Sequence, residues 1–443
     1  MNFKKRHVFC FAALALISCE SSPEVSIPQF PDGGMLRTGT PLSRAQLLNS
    51  FEGMYGTASG ADVFGERMAV RTSPGTVSLL TDKNAGFSVL EAACLPDRRV
   101  VLEGYWQWPT RVEAGLVRLF VEPPAVAEAL CAGEEPAPDE DFALSGLYGE
   151  QSEFPAEPFR LEWQKELQEW RGRFFTVAHH GACEITDHCG ASPNSIETVR
   201  LAERVGSNAA ELDVRATRDG IPIFFHDPGM SGSLVKGTFC KGKVAELSLA
   251  EIRGSCQLEY GEVIPTVQEL LDVMVNETEL EGVYLDMKVP EAVLESSRIA
   301  SRINTQLRER NENSDPADDR RFAPLIAITT DEVLAAWHSA KLKLQEEGLE
   351  VPNCLLEYDP DKVIEEGCVA WGPTWTEGPK APDVRRLQDE GIGTIFWTIN
   401  QSEFIDRFLM DARPNGIISA RASLVFFRYQ TIGTLPPPTG SQQ

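Results

Sequence analysis

Four of the six histidines, His179, His180, His188 and His226, fall between positions 179 and 226 of this 443-residue chain. Histidines scattered through a core would not cluster so. Between them stands Glu211-Leu212-Asp213, and further on comes Asp286-Met287-Lys288. Residues two apart on a strand point to the same side, so Glu211 and Asp213 aim together while Leu212 turns away. Two carboxylates so close repel each other unless a cation lies between them. With Asp286 they make a hard oxygen site suited to a divalent cation, Mg²⁺ or Ca²⁺, with positions left for substrate oxygens. A buried salt-bridge cluster is the alternative, but charges that end two apolar strands are costly to bury without a role.

These residues need elements to hold them. From about residue 174, apolar strand-like runs alternate with amphipathic helical stretches. The candidate strands are 174–178, 210–214, 222–225, 282–285, 324–328, 354–356, 394–398 and 416–418; helix-like runs cover 196–205, 290–310, 331–345 and 383–389. Such alternation over this length predicts an α/β fold, a (β/α)₈ TIM barrel. A doubly wound sheet is the alternative, but no Gly-x-Gly-x-x-Gly turn follows an early strand. His179-His180-Gly181 then closes the first strand, Glu211 and Asp213 lie on the second, His226 closes the third and Asp286 lies on the fourth. Barrel sites are built where strands end, so all sit at the expected pole.

Residues 41–165 read differently, as a small all-β accessory domain, a sandwich or barrel of short alternating strands broken by Gly and Pro. A pattern recurs there in Phe51-Glu-Gly-Met-Tyr55, Leu102-Glu-Gly-Tyr-Trp106 and Leu144-Ser-Gly-Leu-Tyr148, consistent with a repeated strand start. Residues 1–19 form a signal segment: Lys4, Lys5 and Arg6 precede an apolar run too short to span a bilayer. It ends in Leu16-Ile17-Ser18-Cys19, which resembles the bacterial lipobox with Cys19 as the acylated residue. A linker, 20–40, follows; the TIM barrel takes 170–430, and 431–443 form a disordered tail. The predicted location is the bacterial cell envelope, periplasm or outer surface, with membrane contact through the lipid anchor.

Ten cysteines, less Cys10 and Cys19, leave eight, an even number that suits disulfides in an oxidising space. Proximity pairs Cys94 with Cys131, Cys183 with Cys189, Cys240 with Cys256 and Cys354 with Cys368. No Cys-x-x-Cys pair supports a zinc site. A formal charge of -25 repels nucleic acid at long range and disfavours polybasic docking on anionic lipid. No obligate protein partner is evident.

The ordered motifs resemble the glycerophosphodiester phosphodiesterase family. His179 and Gly181 match its His-Arg-Gly; Glu211-Leu-Asp213-Val214, Thr217-Arg-Asp219-Gly220 and His226-Asp227 match its second motif in order and spacing. Ile264-Pro-Thr266-Val-Gln-Glu269-Leu270 resembles its Pro-Thr-Leu-Glu-Glu, Asp286-x-Lys288 its Glu-x-Lys, and 395–400 with 415–418 its last two strands. The resemblance spans about 174–427. It implies metal-assisted cleavage of a small phosphodiester, with the cation on Glu211, Asp213 and Asp286 and with His179 and His226 exchanging protons. Lys288 and His180 would bind the phosphate, and Trp397 could stack on substrate. Three departures stand out. His180 replaces the family arginine, Ser192-Pro193-Asn194-Ser195 replaces Pro-Glu-Asn-Thr, and Asp286 replaces glutamate. In addition, Ser419-Ala420 stands where the family has Thr-Asp. The Asp-x-Lys motif and the Cys-bearing loops are also similar to the sphingomyelinase D relatives, which would imply phospholipase D-like cleavage of choline lipids, a lysophospholipid among them. An inactive surface binding protein is the reading of another class.

Overall fold

The structure is a computed structural model that describes residues 27–151, 153–182, 184, 188–230, 234–313 and 321–432. The signal segment with Cys19, the residue Cys183 and the tail from position 433 lie outside the described residues.

Alternating apolar residues build the first body. Its strands are β1 (Thr40–Pro41), β2 (Gly53–Ser59), β3 (Arg67–Ser73), β4 (Thr76–Leu80) and β5 (Phe87–Cys94), then β6 (Val100–Gln107), β7 (Ala114–Glu122), β8 (Ala143–Tyr148) and β9 (Glu157–Lys165). From β2 to β9 each strand pairs antiparallel with the next, and β9 returns to β2, so an up-and-down barrel closes. Closure removes the exposed edges that would otherwise template aggregation. Inward side chains such as Leu79, Leu90, Leu102 and Leu119 meet Phe51 and Phe159 and fill the interior. The helix Arg44–Phe51, started by a Ser43–Gln46 capping box, packs into this core, and Cys131 of the helix Pro124–Cys131 is tied to Cys94 of β5.

The recurring glycines are not all strand starts. Gly53 opens β2, but Gly104 and Gly146 lie inside β6 and β8. A Cβ at Gly104 would fall 2.0 Å from the Val89 carbonyl oxygen, and one at Gly146 would fall 2.1 Å from that of Arg118. Neighbouring strands press in where a side chain would be, as at the tight bend of a small barrel.

The second body is a ring of parallel strands: β10 (Phe175–Ala178), β11 (Ala209–Ala216), β17 (Gly282–Met287), β18 (Ala323–Ile328), β19 (Cys354–Leu356), β20 (Ala370–Trp371), β21 (Gly393–Phe396) and β22 (Gly416–Ser419). β22 pairs with β10, which closes an eight-stranded parallel barrel. One expected stave is displaced. β12 (Pro222–Phe224) runs antiparallel to β11 as the arm of a hairpin. The intervening turn, in which Thr217 N donates to Ile221 O at 3.0 Å, is far too short for a parallel crossover. The missing stave is β20, only two residues long, and the strand carrying Asp286 is the third of the ring. The loop after β12 adds four short strands, β13 (Gly229–Met230), β14 (Val235–Lys236), β15 (Gly242–Lys243) and β16 (Gln257–Leu258). Disulfides Cys240–Cys256 and Cys354–Cys368 match the expected pairing, while Cys183–Cys189 involves a residue outside the described ones.

The two barrels share an apolar seam. Met54, Ala69, Leu80 and Val89 on the outside of the first meet Leu201, Phe426 and Phe427 on helices of the second. Inside this seam the buried Arg71 donates to Ser207 O at 2.8 Å and lies 4.4 Å above the Trp170 ring. Among the described residues no helix is long and apolar enough to cross a membrane.

Candidate active site

The parallel register of β11 and β17 places Asp213 directly beside Asp286, and Glu211 beside Tyr284. Ligand oxygens of Glu211, Asp213 and Asp286 all lie within 4.8 Å of one another. Lys288 Nζ sits 2.8 Å from Asp213 Oδ1 and also bonds Asp286. One ammonium cannot balance three clustered carboxylates, two of them buried, and the imbalance appears in their protonation. Burial, with the neighbouring charge of Asp213, pushes the Glu211 carboxyl up to about 8. Burial likewise raises Asp286, against the pull of Lys288. Burial opposes the charge on Asp213 too, but His180 and Lys288 outweigh it and hold its carboxyl low. Asp286 Oδ1 is buried with no hydrogen-bond partner. An orphaned oxygen among three hard donors fits a divalent cation.

The two proposed proton carriers arrive from different ends of the chain's geometry. His179 follows β10 in a single 3₁₀ turn through Gly181. Its Nδ1 lies 3.4 Å from Glu184 Oε1 and its Nε2 3.9 Å from Glu211 Oε2. Burial disfavours its charge, but Glu184 and Glu211 more than compensate and raise its pKa. His226 arrives on the hairpin: Phe225 N donates to Asp213 O at 2.9 Å, so the residue after it emerges beside the carboxylates. Asp227 Oδ1 holds His226 Nδ1 at 2.8 Å, which leaves Nε2 for substrate.

His180, expected to meet the phosphate, is the most enclosed of the three rings. It lies between the other two rings, 3.7 Å from His179 and 5.2 Å from His226 between centroids, and is only 5% exposed. Burial and the neighbouring His179 push its pKa down to about 4, so it is neutral near pH 7. It touches the cavity wall and backs Asp213 at 3.3 Å, but it supplies no charge for a phosphate. Lys288 is the cation of the described residues lining the cavity. Arg215, two residues after Asp213 on β11, uses its Nε to hold His226 O at 2.8 Å.

Three residues were missed in the sequence. Asn194 donates from Nδ2 to Asp213 Oδ2 at 2.7 Å and accepts from Asp213 N at 2.9 Å, which fixes that ligand in two directions. Its signal was present, since it is the retained Asn of the altered Pro-Glu-Asn-Thr segment. Glu184 steadies His179. Glu357, just past β19, lines the same cavity, and burial and then Asp286 push it up to about 8. An acid ending an apolar strand was the clue already used for Glu211. The cavity is about 600 Å³, and Trp397, Leu355 and Ile418 form its less polar wall. Trp397 is anchored by its Nε1 donating to Gly372 O at 2.7 Å.

Residues 188–423 match the model of the glycerophosphoryl diester phosphodiesterase family. That stretch covers more than half of the chain. The chain belongs to this family. The match begins just after the His179 turn, which the barrel geometry nevertheless brings to the family's site. The probable glycerophosphodiester phosphodiesterase 2 of Mycobacterium tuberculosis is 31% identical over 240 residues, covering 52% of this chain and 83% of the relative. The probable glycerophosphodiester phosphodiesterase 1 of the same organism is 22% identical over 267 residues, 56% of this chain and 88% of the relative. A solved Oleispira antarctica phosphodiesterase, in complex with the product sn-glycerol-3-phosphate, superposes with a TM-score of 0.43 at 19% identity, covering 57% of this chain and 95% of that one. This family member is a phosphoric diester hydrolase of the glycerophosphodiester phosphodiesterase type, and the barrel from β10 to β22 carries its site.

Proposed function

We propose that the protein hydrolyses small glycerophosphodiesters to an alcohol and glycerol phosphate, using Mg²⁺ or Ca²⁺ held by Glu211, Asp213 and Asp286. The convergence of these three carboxylates, two of which line one cavity with His179 and His226, carries the proposal. When bound, the cation supplies positive charge to the phosphate oxygens as charge builds up in the transition state. Lys288 adds a fixed charge from the same side. One imidazole removes a proton from the attacking hydroxyl and the other protonates the leaving alkoxide; attack by water gives glycerol phosphate directly, whereas attack by the neighbouring glycerol hydroxyl gives a cyclic phosphate that a water must then open. Asn194 keeps Asp213 aimed, and Glu184 and Asp227 fix the two imidazoles through their Nδ1 atoms.

A second substrate class is favoured by the less polar wall of Trp397, Leu355 and Ile418: a lysophospholipid, cleaved as in the sphingomyelinase D relatives. The two classes separate in one assay. The purified protein is incubated with glycerophosphocholine and with lysophosphatidylcholine, each with Mg²⁺, Ca²⁺ or chelator. Turnover of the first that chelator abolishes is expected. Turnover of the second alone would transfer the proposal to the lipid substrate, and no metal-dependent turnover of either would leave the inactive binding protein.

We further propose that the protein is an exported lipoprotein of the cell envelope, acylated at Cys19. The three described disulfides agree with an oxidising compartment. Labelled palmitate should enter the native protein and not a Cys19→Ser variant; equal labelling of both would sink the assignment.

A further inference from the structure

A chain with a net charge of -25 carries one basic projection on the loop that leaves the catalytic His226. Between positions 234 and 245 stand Lys236, Lys241 and Lys243, with no acidic residue among them. The projection is a built structure. β14 pairs with β16 and β15 with β13, the Cys240–Cys256 disulfide joins its limbs, and Leu234, Val235, Val244, Ile252 and Leu258 give it a small core of its own. Above that core Phe239 is 77% exposed, the most exposed large apolar side chain among the described residues. Lys236 and Lys241 flank it, both exposed. Lys243 is 3.4 Å from Glu246 at the foot of the projection, and that pair is exposed as well. Lys236 and Lys241 have no ion-pair partner among the described residues.

Folding gains nothing from holding a phenyl ring in water between two lysines on a cross-linked loop. An aromatic ring beside ammonium groups suits the boundary of an anionic bilayer, where the ring enters the headgroup layer and the lysines meet lipid phosphates. The overall negative charge does not forbid this contact. At physiological salt the field is screened over about 8 Å, so the charges at the point of contact decide. We propose that this loop docks the protein on an anionic lipid surface through Phe239, Lys236, Lys241 and Lys243. The base of the loop supports the orientation. Leu234 and Leu258 line a small cavity together with His180, Asn194 and His226, so docking here turns the His226 side of the site toward the bilayer.

Vesicle flotation tests the proposal. The full chain carries Cys19→Ser in every arm, so that no acyl chain contributes. Vesicles are phosphatidylcholine alone or phosphatidylcholine mixed with phosphatidylglycerol. Partition onto the mixed vesicles is expected to be at least about tenfold stronger, and to fade in high salt, since each lysine near an anionic surface is worth about fivefold. Lys236→Glu with Lys241→Glu, and separately Phe239→Ser, should each remove most of that gain while the melting midpoint stays in place. Leu342→Ser, at another exposed apolar residue, should leave binding intact. Equal partition onto both vesicles, absence of binding to either, or folded variants that bind like the parent would each overturn the proposal.

Discussion

Alanine in place of His226 is expected to lower kcat on a glycerophosphodiester by about 10²–10⁴-fold, the range that a positioned proton carrier contributes. KM should move far less, because Lys288 and the three carboxylates proposed to hold the cation are untouched. The side chain is 42% exposed, so its removal empties little of the core, and the melting midpoint should stay near that of the parent. His179→Ala should show a loss of the same order. His338→Ala is the matched control: that ring pairs with Glu366 at 2.7 Å on the outside of the barrel and should leave kinetics unchanged. A folded His226→Ala protein that keeps the parent's kcat would remove the residue from the mechanism.

The largest expected loss of stability lies away from the site, at Arg71. Its guanidinium is buried, bonds the Ser207 carbonyl, and stacks over Trp170 with Phe426 at 5.5 Å. Burial, aided by the nearby charge of Arg171, lowers its pKa to about 10, still well above the range where it would lose its proton in neutral solution. A hydrogen bond made by a charged group is worth about 1.5–3 kcal/mol and a desolvated cation–π contact about 2 kcal/mol. Arg71→Ala also leaves a buried carbonyl without a partner, so a loss of about 3–4 kcal/mol is expected. In denaturant titrations the midpoint should fall, and the single transition should split as the two barrels part. Arg99→Ala, at a 53% exposed side chain over Phe120, should cost less than about 1 kcal/mol. Equal effects from the two variants would mean that the seam is not what couples the barrels.

The grouping of the carboxylates was legible in the sequence because it obeys a two-residue period. Glu211 and Asp213 share a face of β11 whatever surrounds them, and so do Asp286 and Lys288 on β17. What failed was counting. The run 222–225 has the composition of a stave, and only the brevity of the Thr217 turn reveals a hairpin. Ala370–Trp371 is too short for any periodicity to register. The closed form of the first barrel was also hidden, since sandwich and barrel strands alternate alike and only the β2–β9 pairing separates them. His180 was read from its position in a motif, but its burial between two rings is a product of packing. The seam was invisible for the same reason: nothing near Arg71 in sequence announces Trp170 or Ser207.

The hairpin between β11 and β12 has a bearing on how this protein can change. Two oxygen donors and an imidazole ride on sixteen consecutive residues, Glu211 to His226, clasped by the bonds of Phe225 to Asp213 and Arg215 to His226. On the proposed mechanism, holding the ion and moving the proton would thus be inherited as one part. A lengthened or shortened turn at Thr217 would carry the imidazole away from the carboxylates without touching any reacting group. Pro193 and Glu357 stand on loops outside that hairpin, where a single exchange leaves the clasped part in place.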